Sequence, residues 1–278
     1  MIWDVTDPLA PVFQEYTDQG ETASFVVETE TLRTFLIVEE GSYLEPVFTG
    51  EVPNQDLHGM PTPEFLIISH PRFLPAAERL VDHRTASGMS AAVVTIDEVF
   101  NEFSSGALDV VAIRDFVRYL YTGNPRLKYL LLFGRGTYDY KGIRGDQSSF
   151  VPIYESRNSL HPIYSYASDD FFGFLDEEEG TWEETLFGDH VMDIGIGRFP
   201  VKTLDEAHTI VDKIMIYETD PKCFGPWRND LYFVADDGDG TDGTRHSRDA
   251  DRLAVLVDTS YSTFNLGKIY VDAYPQNL

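Results

Sequence analysis

The sequence predicts an α/β fold, a mostly parallel sheet flanked by helices and preceded by a short β segment. Three observations predict it. Continuous apolar runs of strand length, such as Phe65-Leu-Ile-Ile-Ser69 and Tyr129-Leu-Leu-Leu-Phe133, read as strands buried on both faces. Stretches with helical spacing lie between such runs. The two alternate, and repeated βαβ units imply parallel strands joined by right-handed crossovers.

Residues 1–60 read as β. Ser24-Phe-Val-Val-Glu28 and Arg33-Thr-Phe-Leu-Ile-Val38 are short β-rich runs between polar turns, and helical periodicity is absent. Met60-Pro-Thr-Pro63 reads as a linker, because two prolines at this spacing disfavour regular structure. From there strand and helix alternate. Residues 65–69 form a strand, and 75–87 a helix with Ala76, Leu80 and His83 at turn spacing, stopped by Gly88. Residues 91–96 form the next strand, with Asp97 the expected N-cap of a short helix. The clearest amphipathic helix spans 109–121. Val110, Ile113, Phe116, Val117 and Leu120 share its apolar face, with Arg114, Asp115 and Arg118 off it.

A third strand begins at Tyr129 and a fourth covers 193–200, followed by a helix over 204–218. Residues 135–190, rich in Gly, Tyr and Asp, have no regular period, and a loop this long in a compact domain is usually functional. A strand over 231–235, a helix from about 245 to 257 and a strand over 268–274 restart the theme. The expected divisions are therefore 1–60, 61–222 and 223–278. Both ends read as mid-domain sequence, so the chain is expected to be a piece of a longer protein.

Composition narrows the function. The 278 residues hold 47 acidic against 21 basic side chains, a formal charge of −26 that repels nucleic acid and anionic membrane surfaces. The single cysteine, Cys223, excludes an internal disulfide. No apolar run approaches the length of a membrane span, and the first residues lack the basic and apolar regions of a signal peptide.

The most informative motif is Leu231-Tyr-Phe-Val-Ala-Asp-Asp-Gly-Asp-Gly240. An apolar strand runs into three carboxylates and two glycines at the end where open α/β sheets place their chemistry. Asp237-Gly-Asp239 followed by Gly-Thr matches the haloacid-dehalogenase pattern, which would make Asp237 a phosphoryl acceptor and Asp239 its acid–base partner beside Mg²⁺. An EF-hand counted from Asp237 fails, because its sixth position is Asp242 and its twelfth Arg248. A solvated acidic turn on a binding or scaffold domain is the third reading.

Ser168-Asp-Asp-Phe-Phe-Gly-Phe-Leu-Asp176 gathers Asp169, Asp170 and Asp176 as oxygen donors for a structural calcium ion, or as turn-capping carboxylates over packed aromatics. Gly134-Arg-Gly136 lacks the rest of any phosphate loop. Cys223 lies between two prolines in a connecting segment, with neither a base nor an oxyanion hole in sight. His246, at a helix start beside the acidic strand end, is the one histidine near candidate chemistry, and also suits a surface or capping role.

Several stretches together resemble one family. They include Trp3-Asp-Val-Thr-Asp-Pro8, Asp115-Phe-Val-Arg-Tyr-Leu-Tyr121, Leu131-Leu-Phe-Gly-Arg-Gly-Thr-Tyr-Asp139 and Asp193-Ile-Gly-Ile-Gly-Arg-Phe-Pro-Val201. Asn101-Glu-Phe-Ser-Ser-Gly106, Ser168-Asp-Asp-Phe-Phe-Gly173, Phe224-Gly-Pro-Trp-Arg-Asn229 and Phe233-Val-Ala-Asp-Asp-Gly-Asp239 complete the set. They are similar to the gingipain-type cysteine peptidases, and within them to the sortase of the bacterial type IX secretion system of Bacteroidota.

The resemblance implies a caspase-like fold in two subdomains. Residues 61–222 would be the non-catalytic one, 223–278 the start of the catalytic one, and 1–60 the end of an upstream β domain with its linker. It implies a cell-surface enzyme at the outer membrane, working with other secretion components. That enzyme would cleave C-terminal sorting domains from secreted proteins through a thioester, which water or an amine on an anionic lipopolysaccharide resolves. No cofactor is required, though calcium occurs in the family. The family's catalytic His lies in a Gly-His-Gly element absent from this sequence, and Cys223 precedes the strand it would have to follow. Asp237, with Asp236 beside it, matches the acid that orients that histidine.

Overall fold

The computed structural model describes residues 1–28, 30–39, 41–42, 44–45, 47–48, 50–156, 165–176, 179, 191–238 and 241–275. Two compact units, Met1–Asn54 and Gln55–Leu278, make up the chain. In the first, β1 (Ile2–Asp4), β2 (Val12–Gln14) and β5 (Phe35–Ile37) form an antiparallel sheet in the order β2-β1-β5. The two-residue strands β3 (Thr17–Asp18) and β4 (Ala23–Ser24) pair beside them in sequence. The expected β character holds, but the strands are shorter than the apolar runs suggest. Val26 and Ile37 remain exposed.

In the second unit, β6 (Phe65–Ser69), β7 (Ala91–Thr95), β8 (Tyr129–Phe133) and β11 (Gly195–Phe199) form a wholly parallel sheet, ordered β11-β8-β6-β7. Alternating side chains leave it on opposite faces. Leu66, Ile68, Leu130 and Leu132 pack with α2 (Ile96–Phe103) and α3 (Val110–Gly123). Ile67, Leu131 and Phe133 pack with α1 (Leu74–Ala86) and α4 (Leu204–Thr219). Burial on both faces explains why these strands are continuously apolar.

Downstream, β12 (Asp230–Ala235) and β13 (Asn265–Tyr270) form a separate parallel pair joined by α5 (Arg245–Ser260). Here one face stays open. Tyr232 and Val234 are 66% and 67% exposed, whereas Ala235 is buried on the other side of the pleat. The run expected to be a buried strand is therefore buried on one side only.

Three local expectations are corrected. The short helix is capped by Thr95, not Asp97. Thr95 Oγ1 accepts from Glu98 N at 3.2 Å, and the Glu98 carboxylate accepts from Thr95 N at 2.7 Å, a reciprocal capping box. The last strand spans Asn265–Tyr270 rather than 268–274, because pairing with all six residues of β12 sets its start. Gly267 belongs to that strand: the Tyr232 ring lies so close that a Cβ on Gly267 would sit 2.4 Å from it. Arg114, expected off the apolar face, is 3% exposed and donates from Nε to the Phe174 carbonyl at 2.6 Å.

Candidate active site

The acidic motif leaves the sheet where the sequence places it. The chain departs β12 at Ala235 as Asp236-Asp237-Gly238, and Asp236 Oδ1 accepts the Asp237 N–H at 3.0 Å. Gly238 then passes so near Gly243 that a Cβ there would lie 1.8 Å from the Gly243 carbonyl oxygen, so only glycine closes this turn. Arg245 N donates to Asp242 O at 3.1 Å, and Arg248 N to Thr244 O at 2.9 Å, which starts α5. A cavity of about 400 Å³ results, lined by Asp236, Asp237, Asp242, His246 and Asp249 with Val234, Ala235 and Ala250 behind them.

The electrostatics of this cavity are one-sided. Among the described residues four carboxylates face one imidazole, and the positive N-terminal end of α5 partly offsets them. Asp249 also meets the guanidinium groups of Arg248 and Arg252, at 3.8 and 3.6 Å. Such a site can accept an N–H from an imidazole or a cation. Among the described residues its lining offers no hydroxyl or thiol nucleophile. Sequence reasoning named Asp236, Asp237 and His246, but not Asp249, which α5 carries onto the same wall. Its spacing of three from His246 on a helix was the available signal. Asp239, the other half of the phosphotransferase alternative, lies outside the described residues.

Cys223 sits elsewhere. It ends the one-turn helix Pro221–Cys223, and its N–H donates to Asp220 O at 2.9 Å. That segment enters β12 from its N-terminal end, while Asp236 and Asp237 follow its C-terminal end. Six strand residues, roughly 20 Å, lie between the two ends.

Asp169, Asp170 and Asp176 are not gathered as a ligand set. Asp169 is half-buried and takes Arg198 Nε at 2.7 Å and Nη2 at 2.8 Å, a bidentate pair. Asp170 and Asp176 are exposed. Among the described residues no three acidic, His or Cys side chains stand where they could hold a metal ion. As placed, these donors do not suit calcium, since the first is spent on a guanidinium.

Arg198, which carries that guanidinium, is a second residue that sequence reasoning missed. Besides Asp169, Arg198 Nη1 donates to the carbonyls of Gly134 and Val151, both at 2.8 Å, and Nη2 to Pro152 at 3.0 Å. One strand residue thereby ties the end of β8, the following loop and the Asp169 turn to the sheet. An arginine inside an otherwise small and apolar strand, Gly195-Ile-Gly-Arg-Phe199, was the signal.

Comparison with known proteins places this geometry. The crystal structure of dimeric latent PorU from Porphyromonas gingivalis is similar over 82% of this chain and 23% of its own, at 31% identity and a TM-score of 0.66. The crystal structure of the Arg-specific cysteine proteinase gingipain R is similar over 76% of this chain and 42% of its own, at 18% identity and a TM-score of 0.53. The second likeness shows the fold alone, a caspase-like one. The chain spans less than half the length of either protein. No curated protein matches it. The model of peptidase family C25 covers residues 59–278, from the linker through the parallel sheet to the acidic cavity, and the chain belongs to this family, that of the gingipains.

Proposed function

We propose that this chain forms part of a cell-surface cysteine endopeptidase of the type IX secretion system, one that removes C-terminal sorting domains from secreted proteins. The single observation that carries the reading is the placement of Asp237 and Asp236 in a cavity at the C-terminal end of β12. Family membership and the likeness to PorU support it. The cell-surface location, the sorting-domain substrates and the secretion partners rest on the family resemblance alone.

In this reading Asp237 is a positioning residue. Its carboxylate accepts one ring N–H of a histidine, fixes the tautomer, and stabilises the imidazolium formed when that histidine takes the proton of a cysteine thiol. The thiolate attacks the scissile carbonyl, the amine leaves with a proton from the imidazolium, and a thioester remains. Water or an acceptor amine then attacks the thioester and restores the thiol. The histidine and cysteine come from outside these 278 residues, because the sequence has no Gly-His-Gly and Cys223 enters β12 at the wrong end.

The test uses two proteins. In a longer protein carrying this chain, Asp237→Asn is expected to lower kcat by about 10²- to 10⁴-fold with little change in KM. The 278-residue chain alone is expected to turn over no peptide substrate. Peptide cleavage by the chain alone that survives Cys223→Ala and disappears with Asp237→Ala would sink the reading. So would an unchanged kcat for Asp237→Asn in the longer protein.

A further inference from the structure

Asp237 and Asp272 leave the open sheet side by side. Strands β12 and β13 run parallel with Ala235 opposite Tyr270, and each aspartate follows its strand's last paired residue by two positions. Asp272 lies in the short helix Val271–Ala273 after β13.

A strand pair can be fastened by its own ladder. The antiparallel hairpin of β9 (Tyr154–Glu155) and β10 (Ala167–Ser168) carries its bonding one residue further, where Ser156 N donates to Tyr166 O at 3.0 Å. The parallel pair β12–β13 has no such closure, because its C-terminal ends lead into separate segments of chain.

A side-chain bond supplies the closure instead. Ser247, in the first turn of α5, is buried, and its Oγ donates to the Asp272 carboxylate. The Thr244 carbonyl, 3.2 Å from the same Oγ, is the weaker acceptor, since the hydroxyl has one proton and a carboxylate takes it more strongly. Thr244, the N-cap of α5, makes no side-chain capping bond. The Asp272 carboxylate therefore also meets the positive end of a helix that its own cap leaves unsatisfied.

A short run of contacts carries this hold to Asp237. Thr244 is joined to Gly243, and the Gly243 backbone lies against Gly238 with no room for a Cβ between them. Gly238 follows Asp237 directly. The same start of α5 brings His246, and Asp249 almost one turn later, to the acidic cavity. Without the bond to Asp272, a shift of α5 along the sheet moves that wall and the Asp237 turn together.

We propose that Asp272 is a positioning residue of the peptidase site: through Ser247 it fixes the start of α5, and with it the placement of Asp237. This role rests on the peptidase reading, in which Asp237 orients the histidine.

The test pairs kinetics with NMR. In a longer protein carrying this chain, Asp272→Ala and Ser247→Ala are each expected to lower kcat about tenfold with little change in KM. The double variant is expected to lose no more than either single one, because both remove the same bond. Asp272→Asn keeps an oxygen acceptor for Ser247 and is expected to recover most of the loss. A merely structural tie would lower Tm and leave kcat per folded molecule unchanged. In the 278-residue chain, Ser247→Ala is expected to move the amide NMR signals of Asp236, Asp237 and Gly238. Unmoved signals there overturn the role of Asp272 whatever the kinetics. So do an unchanged kcat in Asp272→Ala, additive losses in the double variant, or an Asp272→Asn as impaired as Asp272→Ala. Asp237→Asn separates the two failures. If its kcat falls as expected while that of Asp272→Ala holds, only the role of Asp272 is lost; if its kcat is unchanged, the peptidase reading falls and this role with it.

Discussion

The two parallel sheets of this chain follow the same local rules and end in opposite states. The sheet β11-β8-β6-β7 carries helices on both faces, and its middle strands are sealed. The pair β12–β13 has α5 on one face and Tyr232, Val234 and Ile269 open on the other. In the sealed sheet even the charged groups are consumed: Arg198 places all of its N–H direction sets on loop acceptors. In the open pair the carboxylates of the β12 turn line a cavity and face solvent. An apolar strand sequence therefore specifies a sheet, but its burial depends on how many layers the chain supplies.

The largest effect that could break this comparison is at Arg198. Arg198→Ala leaves Asp169 and three loop carbonyls without their donor, and is expected to cost about 3–5 kcal/mol in denaturant unfolding. A loss below about 1 kcal/mol would mean the loops hold themselves. Next comes a matched pair of truncations. Leu132→Ala, at a fully buried position of β8, is expected to cost about 2–5 kcal/mol, while Val234→Ala on the open face costs under about 1 kcal/mol. Similar costs at the two sites would erase the distinction.

The smallest effect concerns acid. Glu218 on α4 takes His83 at 2.7 Å and Arg84 at 2.8 Å from α1. Partial burial pulls its pKa up, but the hydrogen bonds from His83 and Arg84 outweigh it and leave the carboxyl below its ordinary 4.5. A carboxyl with a depressed folded pKa gives stability that is full above the ordinary value and is lost as pH falls through the folded one. Glu218→Gln is expected to flatten the fall of Tm below about pH 4.5. Asp251 in the open pair is also lowered, chiefly by its hydrogen bond from Lys268, but its side chain is 48% exposed, and Asp251→Asn should leave that fall in place. An undiminished acid slope in Glu218→Gln would show that the α1–α4 contact does not depend on this pair.

Much of the sheet was legible because a strand buried on both faces has little room for polar residues. Residues 65–69 and Tyr129–Phe133 announce themselves in that way. Strand β13 was misplaced because Gly267 reads as a break, and only its neighbour's ring across the pair makes it fit. The buried charges were opaque for another reason. Helical period puts Arg114 off the apolar face, but acceptors at Phe174 and Asp176, distant in sequence, draw it in. Arg198 is likewise defined by partners that folding brings near. At the candidate site, the strand end and its two aspartates were readable from the switch of apolar to acidic. The contribution of Asp249 depended on how α5 turns back over the strand.

The open face of β12–β13 changes what a tolerant position means. Tyr232, Val234 and Ile269 are apolar residues that add little to the stability of the unit carrying them, since water reaches them in the folded chain. A mutational scan scored on that stability would pass polar residues there and miss the reason for the apolar ones. What the structure shows of them is local: the Tyr232 ring lies across Gly267 of the paired strand.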